Sequence, residues 1–139
     1  MSPASTAANV ADELSHSEEA MRAAEALLGL NLPRDAINRL YYALYHATLA
    51  LLLTEGLEPT SHHGVLSLLG MHFIKPGRLP AALGATLRRI QAYREAADYT
   101  RGFVLPDEEC RQEFEAGRHF LGAARQLLAQ MGYPSSSGG

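Results

Sequence analysis

Apolar side chains recur along the chain at intervals of three and four residues, the spacing that places them on one face of a helix. No segment alternates apolar and polar side chains in the manner of a half-buried strand. Glycine and proline residues separate the apolar segments. The pattern predicts an all-α, up-and-down bundle of about five helices, at approximately residues 7–28, 33–55, 62–73, 80–99 and 105–130.

The second predicted helix is long and almost entirely apolar or aromatic. Pro33 suits its first turn, and Gly56 follows its last residue. Because a helix that is apolar on nearly every side is normally buried, we expect this helix at the centre of the bundle. Ser61 is placed to cap the short third helix.

The size and composition of the chain fit one folded domain. It has 139 residues, of which 47% are hydrophobic and 19% charged, enough to bury a sizeable core. We predict a single helical domain over residues 1–132. Residues 133–139 are rich in Ser and Gly, which is typical of a flexible C-terminal tail.

The net charge is −3, but the charge is unevenly distributed. Residues 34–101 carry eight basic and five acidic side chains, so this central part is positive and could present a basic surface to nucleic acid. The single cysteine, Cys110, excludes an intramolecular disulfide and any multi-cysteine metal site.

The hydropathy of the chain indicates a cytoplasmic protein without a membrane partner. No run of apolar residues is long enough to span a bilayer. The first residues also lack the basic start and apolar stretch of a signal peptide.

The second predicted helix carries a polar stripe formed by Asp35, Arg39, Tyr42 and His46. Arg39 and His46 are seven residues apart, or two helical turns, and therefore share a face. Buried Arg and His are costly unless they are paired or hydrogen-bonded. One interpretation is a structural network in which Asp35 pairs with Arg39 and His46 donates to a neighbouring helix; the other is a functional site.

Two further polar clusters lie on later helices. Arg94 and Asp98 are one turn apart and can form an ion pair. In the Thr60–Gly64 segment, His62 could join His46 in acid–base chemistry, because histidine titrates near neutrality.

No metal site or cofactor is predicted. A carboxylate-bridged di-iron bundle needs two Glu-x-x-His elements, and Glu13–His16 is the only one in the chain. A mononuclear site at His62, His63 and His72 is disfavoured, because His62 and His63 are sequence neighbours that point about 100° apart on a helix.

Three motifs together resemble those of the HEPN domains: Arg39-x6-His46 within a Tyr-rich helix, Ser-His-His-Gly at 61–64, and Arg-x-x-x-Asp-Tyr at 94–99. The resemblance covers about residues 12–130. It looks nearest to the small stand-alone prokaryotic HEPN proteins that are associated with minimal nucleotidyltransferases. It implies a homodimeric helical domain.

The resemblance implies a metal-independent endoribonuclease, in some relatives the toxin of a toxin–antitoxin pair. His46 would then take the proton from a ribose 2′-OH, and Arg39 would stabilise charge on the phosphate, giving a 2′,3′-cyclic phosphate. The remaining predicted site residues are substrate-binding Tyr42, Tyr45, His62 and Arg94, with Asp35 and Asp98 supporting an arginine.

Two other functions stay open. The same face could bind a nucleotide or RNA, or a partner nucleotidyltransferase acting as antitoxin, without cleaving anything. The polar stripe could also be purely structural. Burial separates the structural interpretation from the two functional ones, because Arg39 and His46 sealed inside a monomer could perform no chemistry.

Overall fold

The structure is a computed structural model that describes residues 2–133, and within that range it contains helices and no strand. The all-α bundle predicted from the sequence is confirmed. Residues 134–139, most of the predicted tail, lie outside the described residues. The helices are α1 Pro3–Gly29, α2 Pro33–Leu53, α3 His62–Leu69, α4 Ala81–Tyr99 and α5 Asp107–Gln130.

The central position of the second helix is also confirmed. Helix α2 packs against each of the other four α-helices, and 11 of its 21 residues are buried. Its core side chains include Ile37, Leu40, Leu44 and Leu51, none of which is exposed. Fully burying one such side chain contributes about 1.5–3 kcal/mol, so this helix supplies a large share of the folding free energy.

Helices α1 and α2 form an antiparallel hairpin with a tight connection. Asn31 adopts a left-handed backbone conformation at φ 60°, which non-glycine residues other than Asn and Asp rarely accept. Pro33 then starts α2 with its backbone already fixed for a helix. Within the hairpin, the buried Ser17 hydroxyl donates to the Ala43 carbonyl oxygen at 2.7 Å. This bond joins α1 to α2 within their buried interface.

The third predicted helix is divided in two. Ser61 caps α3 as predicted, accepting from the Gly64 backbone N–H at 3.0 Å. The α-helix ends at Leu69, and a π-helical turn follows over Gly70–Ile74. The Lys75 N–H donates to the Gly70 carbonyl at 2.8 Å, which closes that wider turn. Sequence periodicity does not separate one widened turn from an α-helix.

Helix α5 packs closely against α2 and forms an ion pair with α4. Gly117 allows the approach, because a Cβ atom there would lie 2.7 Å from a methyl group of Leu40. Arg89 on α4 donates to the buried Glu113 of α5 at 2.5 Å. This hydrogen bond raises the pKa of the Arg89 guanidinium and compensates for burying the Glu113 carboxylate.

Among the described residues, no helix combines the length and apolar character needed to cross a membrane.

Candidate functional site

An open groove of about 580 Å³ runs between α1 and α2. Three of the polar stripe residues, Arg39, Tyr42 and His46, line it from α2, although the stripe was expected on a buried helix face. Arg39 is in fact exposed, because the groove leaves this part of α2 open to solvent. The lining from α1 consists of His16, Glu19, Ala20 and Ala23.

His46 is held by a carboxylate from the facing helix. Its Nδ1 lies 2.7 Å from Oε2 of Glu13, and the two side chains are 25% and 21% exposed. Since an ionised carboxylate can only accept, Nδ1 carries the proton and donates to Glu13. In the neutral form of the imidazole, the second ring nitrogen, Nε2, then carries the lone pair. His46 is therefore oriented, and it can be reached from solvent.

The register of the hairpin explains why Glu13 meets His46. Ser17 and Ala43 are in contact, and the helices run antiparallel. One turn back along α1 from Ser17 is Glu13, and one turn forward along α2 from Ala43 is His46.

His16 adds a second imidazole to this pair. The His16 and His46 ring centres are 5.2 Å apart in an edge-to-face arrangement. The ligand atoms of Glu13, His16 and His46 all lie within 4.8 Å of one another. Glu13 and His16 form a lone Glu-x-x-His motif in the sequence. In the fold, α2 adds His46 as the third side chain of this group.

A cluster of aromatic rings adjoins the groove. Tyr41, Tyr42 and Tyr45 of α2 pack around His62 of α3, with ring centres between 4.8 and 6.2 Å from the imidazole. Tyr41 is almost fully buried, and burial raises the pKa of its hydroxyl. The hydroxyl therefore keeps its proton and donates to Nδ1 of His62 at 2.5 Å. Burial and the charge of Arg94 lower the pKa of His62, so His62 is held neutral.

Arg94 of α4 connects this cluster to the groove. Its Nη2 donates to the Tyr42 hydroxyl at 3.2 Å, and its guanidinium carbon lies 5.3 Å from the ring centres of Tyr41 and Tyr42. Asp98, one turn later, is 3.8 Å from the same Nη2. Arg94 thus contacts one of the groove residues through Tyr42.

The two predicted supporting acids are placed differently. Asp98 lies beside Arg94, whose Nη2 also contacts Tyr42. Asp35 is exposed and forms no ion pair within residues 2–133, so the alternative in which it pairs with Arg39 is not what the structure shows. An exposed pair on one helix is worth only about 0.3–0.5 kcal/mol, too little to hold both side chains.

The predicted catalytic and substrate-binding residues lie close together. Arg39, Tyr42 and His46 line one groove, and Tyr45 and His62 belong to the adjoining aromatic cluster. His46 donates to a neighbouring helix, as the structural interpretation expected, but the sequence did not identify Glu13 and His16 as the residues beside it. Their Glu-x-x-His spacing was the only available signal. The arrangement provides an oriented imidazole for proton transfer and an exposed guanidinium for anionic oxygens.

The chain as a whole is similar to known proteins. A family model described as "HEPN domain" matches residues 10–131. A Methanocaldococcus jannaschii protein named "Putative toxin" is 40% identical over 83 residues, which are 60% of this chain and 62% of that protein. A second protein of that organism with the same designation is 31% identical over 111 residues, covering 80% of this chain and 76% of the relative. A Thermotoga maritima protein named "UPF0332 protein" is 31% identical over 113 residues, covering 81% and 86%.

Proposed function

The chain belongs to the HEPN domain family, and from this membership and the groove we propose that it is a toxin-like, metal-independent endoribonuclease. The observation that carries the proposal is the solvent-accessible His46, oriented by Glu13 at 2.7 Å, with Arg39 lining the same groove. Two similar proteins bear toxin designations, which supports the biological role.

The reaction follows from the proton positions on His46. Its Nε2 takes the proton of a ribose 2′-OH, and the 2′-oxygen attacks the adjacent phosphorus atom. The bond from phosphorus to the 5′-oxygen breaks, and that oxygen leaves with a proton from an acid. The products are a 2′,3′-cyclic phosphate and a 5′-hydroxyl. DNA is resistant because it lacks the 2′-OH.

Arg39 supplies the positive charge that this transition state needs. Its guanidinium is exposed in the groove and can make two parallel hydrogen bonds to phosphoryl oxygens. Because charge on those oxygens grows in the transition state, the contact strengthens RNA binding and also accelerates the chemical step. Tyr42, which also lines the groove, can stack on a base.

A homodimer completes the acid–base pair. Two-fold symmetry would bring a second His46 to the cleft, so that one imidazole acts as base and the other protonates the leaving oxygen. Light scattering at micromolar concentration tests this part directly. A monomer would overturn the paired-histidine mechanism.

The activity is tested with total RNA in the presence of EDTA. The purified protein is compared with its Arg39→Ala and His46→Ala variants, and with His119→Ala as the matched control on an exposed face of α5. We expect cyclic-phosphate ends from the wild type and the control. Loss of the general base His46 should cost about 10²–10⁴-fold in rate. Loss of the charge-stabilising Arg39 should cost about 10²–10³-fold, so both site variants should be inactive in the assay. Wild-type activity retained by either site variant would contradict the assignment.

The alternative function is a non-catalytic module that binds a nucleotide or RNA, or a minimal nucleotidyltransferase acting as its antitoxin. The observation that favours it is the aromatic cluster with Arg94, which offers stacking surfaces and a cation next to the groove. A folded dimer that binds RNA but does not cleave it would establish this alternative. Arg94→Ala should then weaken binding.

A further inference from the structure

We propose that Glu13, His16 and His46 bind a divalent transition-metal cation of the zinc class. The three side chains come from two facing helices, and their ligand atoms lie within 4.8 Å of one another. Two imidazole nitrogens and one carboxylate oxygen form a donor set typical of zinc sites with an open fourth position.

The donor set selects the cation. Imidazole nitrogens favour zinc and its neighbours in the first transition row, whereas Mg²⁺ and Ca²⁺ require mostly oxygen ligands. Acidic side chains near the three ligands outnumber Arg39, the one arginine among the residues that line the groove. Asp12 lies 3.9 Å from Nε2 of His16, and Glu19 lines the same groove. These carboxylates favour a cation at this position.

The geometry needs only side-chain adjustment. Bonds of about 2.0–2.2 Å to a tetrahedral zinc ion place ligand atoms about 3.3 Å apart. Because the ligand atoms here all lie within 4.8 Å of one another, no separation has to shrink by more than roughly 1.5 Å. His16 is exposed and can rotate toward the other two. Glu13 and His46 are in contact at 2.7 Å; to bind the cation together, His46 Nδ1 must release the proton that it donates to Glu13, and this separation must widen by roughly 0.6 Å.

The cation would regulate the site. In this respect the inference rests on the proposed function, since a bound cation ties up His46 and its partner Glu13. With the cation bound, His46 could not accept the proton of the 2′-OH, and Glu13 could not orient His46. We therefore expect zinc to inhibit RNA cleavage, in contrast to enzymes that need a metal for hydrolysis.

Binding is measured by calorimetry of Zn²⁺ into the tag-free, EDTA-stripped and desalted full chain. We expect one saturable site per chain, which Mg²⁺ does not occupy. His16→Ala removes one ligand from an exposed position, and its affinity for Zn²⁺ should fall at least tenfold. His119→Ala, another exposed histidine, should bind as the wild type does. Co²⁺ added in place of Zn²⁺ should give the visible absorption of a low-coordinate site in the wild type and lose it in His16→Ala.

The outcomes separate this inference from the proposed function. No saturable Zn²⁺ binding, or equal binding by His16→Ala with its helical spectrum intact, would overturn the metal site. Zinc binding by a protein that cleaves no RNA would leave the metal site standing and refute the nuclease. In a cleaving protein, zinc should inhibit the wild type, and His16→Ala should be less inhibited relative to its own metal-free rate.

Discussion

The Ser17 hydroxyl donates to the Ala43 carbonyl at 2.7 Å in the buried interface of α1 and α2. Ser17 has no exposed surface, and its hydrogen bond is a buried polar contact between the two helices that line the groove. Because the helices are antiparallel, this contact and the pair of Glu13 with His46 are one turn apart on each helix. The pair of Glu13 and His46 therefore lies one helical turn from a buried hydrogen bond between the same two helices.

Replacing Ser17 by alanine should lower the free energy of unfolding by about 1 kcal/mol, the net value of a typical hydrogen bond. The measurement is urea denaturation followed by circular dichroism. Ser15→Ala, at an exposed position of the same helix, is the control and should change stability by less than about 0.5 kcal/mol. Equal effects of the two substitutions would show that the Ser17 hydrogen bond contributes no net stability.

Glu13→Gln should slow RNA cleavage by roughly 10–10³-fold, because an amide no longer holds His46 in one tautomer. The loss should appear in kcat, with KM little changed, since Glu13 acts through His46 rather than on the RNA. Steady-state kinetics in EDTA measure both constants. An unchanged kcat in a folded Glu13→Gln protein would remove Glu13 from the mechanism.

The free energy of unfolding should fall as the pH drops below about 6.5 because of His62. Burial, Arg94 and His63 lower the pKa of this histidine in the folded state, whereas Glu95 opposes the shift. The unfolded chain, in which the pKa of His62 has its ordinary value of 6.5, binds the proton first, so acid favours unfolding. Denaturation between about pH 5 and 8 should show a smaller decline for His62→Gln than for the wild type. A His119→Gln control that flattens the profile equally would contradict this assignment.

Gly117→Val should destabilise the protein by about 1–3 kcal/mol, the usual cost of overpacking a core. The new Cβ would lie 2.7 Å from a methyl group of the fully buried Leu40. A Cβ atom at Gly122 on the same helix would meet nothing within 4 Å, so Gly122→Val is the matched control and should be nearly neutral. Thermal unfolding of both variants tests the close contact of α5 with α2.

The helices could be predicted because their signals are local. Apolar spacing marks each helix, and Pro33, Gly56 and Ser61 mark boundaries through their own backbone preferences or side chains. The same periodicity placed Arg39, Tyr42 and His46 on one face, and the structure shows them lining one groove. The π-helical turn at 70–74 was missed because it preserves the apolar spacing of the helix before it.

The partners of His46 could not be predicted, because they depend on how two helices are aligned. The one-turn spacing of Asp35 and Arg39 suggested an ion pair. Both side chains are exposed, however, and water solvates their charges in place of a pair. Glu13 is 33 positions from His46, and only the packing of α1 on α2 brings them together. Local patterns carry no information on that register.

All of the groove's side chains, together with Glu13, lie between residues 13 and 46, on one helical hairpin whose connection is residues 30–32. Contacts so close in sequence cost little chain entropy and form early in folding. On the ribosome, every side chain of the groove is therefore synthesised before α3, α4 and α5. Those later helices cover the other faces of α2, so the groove residues lie on the part of the chain that waits for the rest of the core.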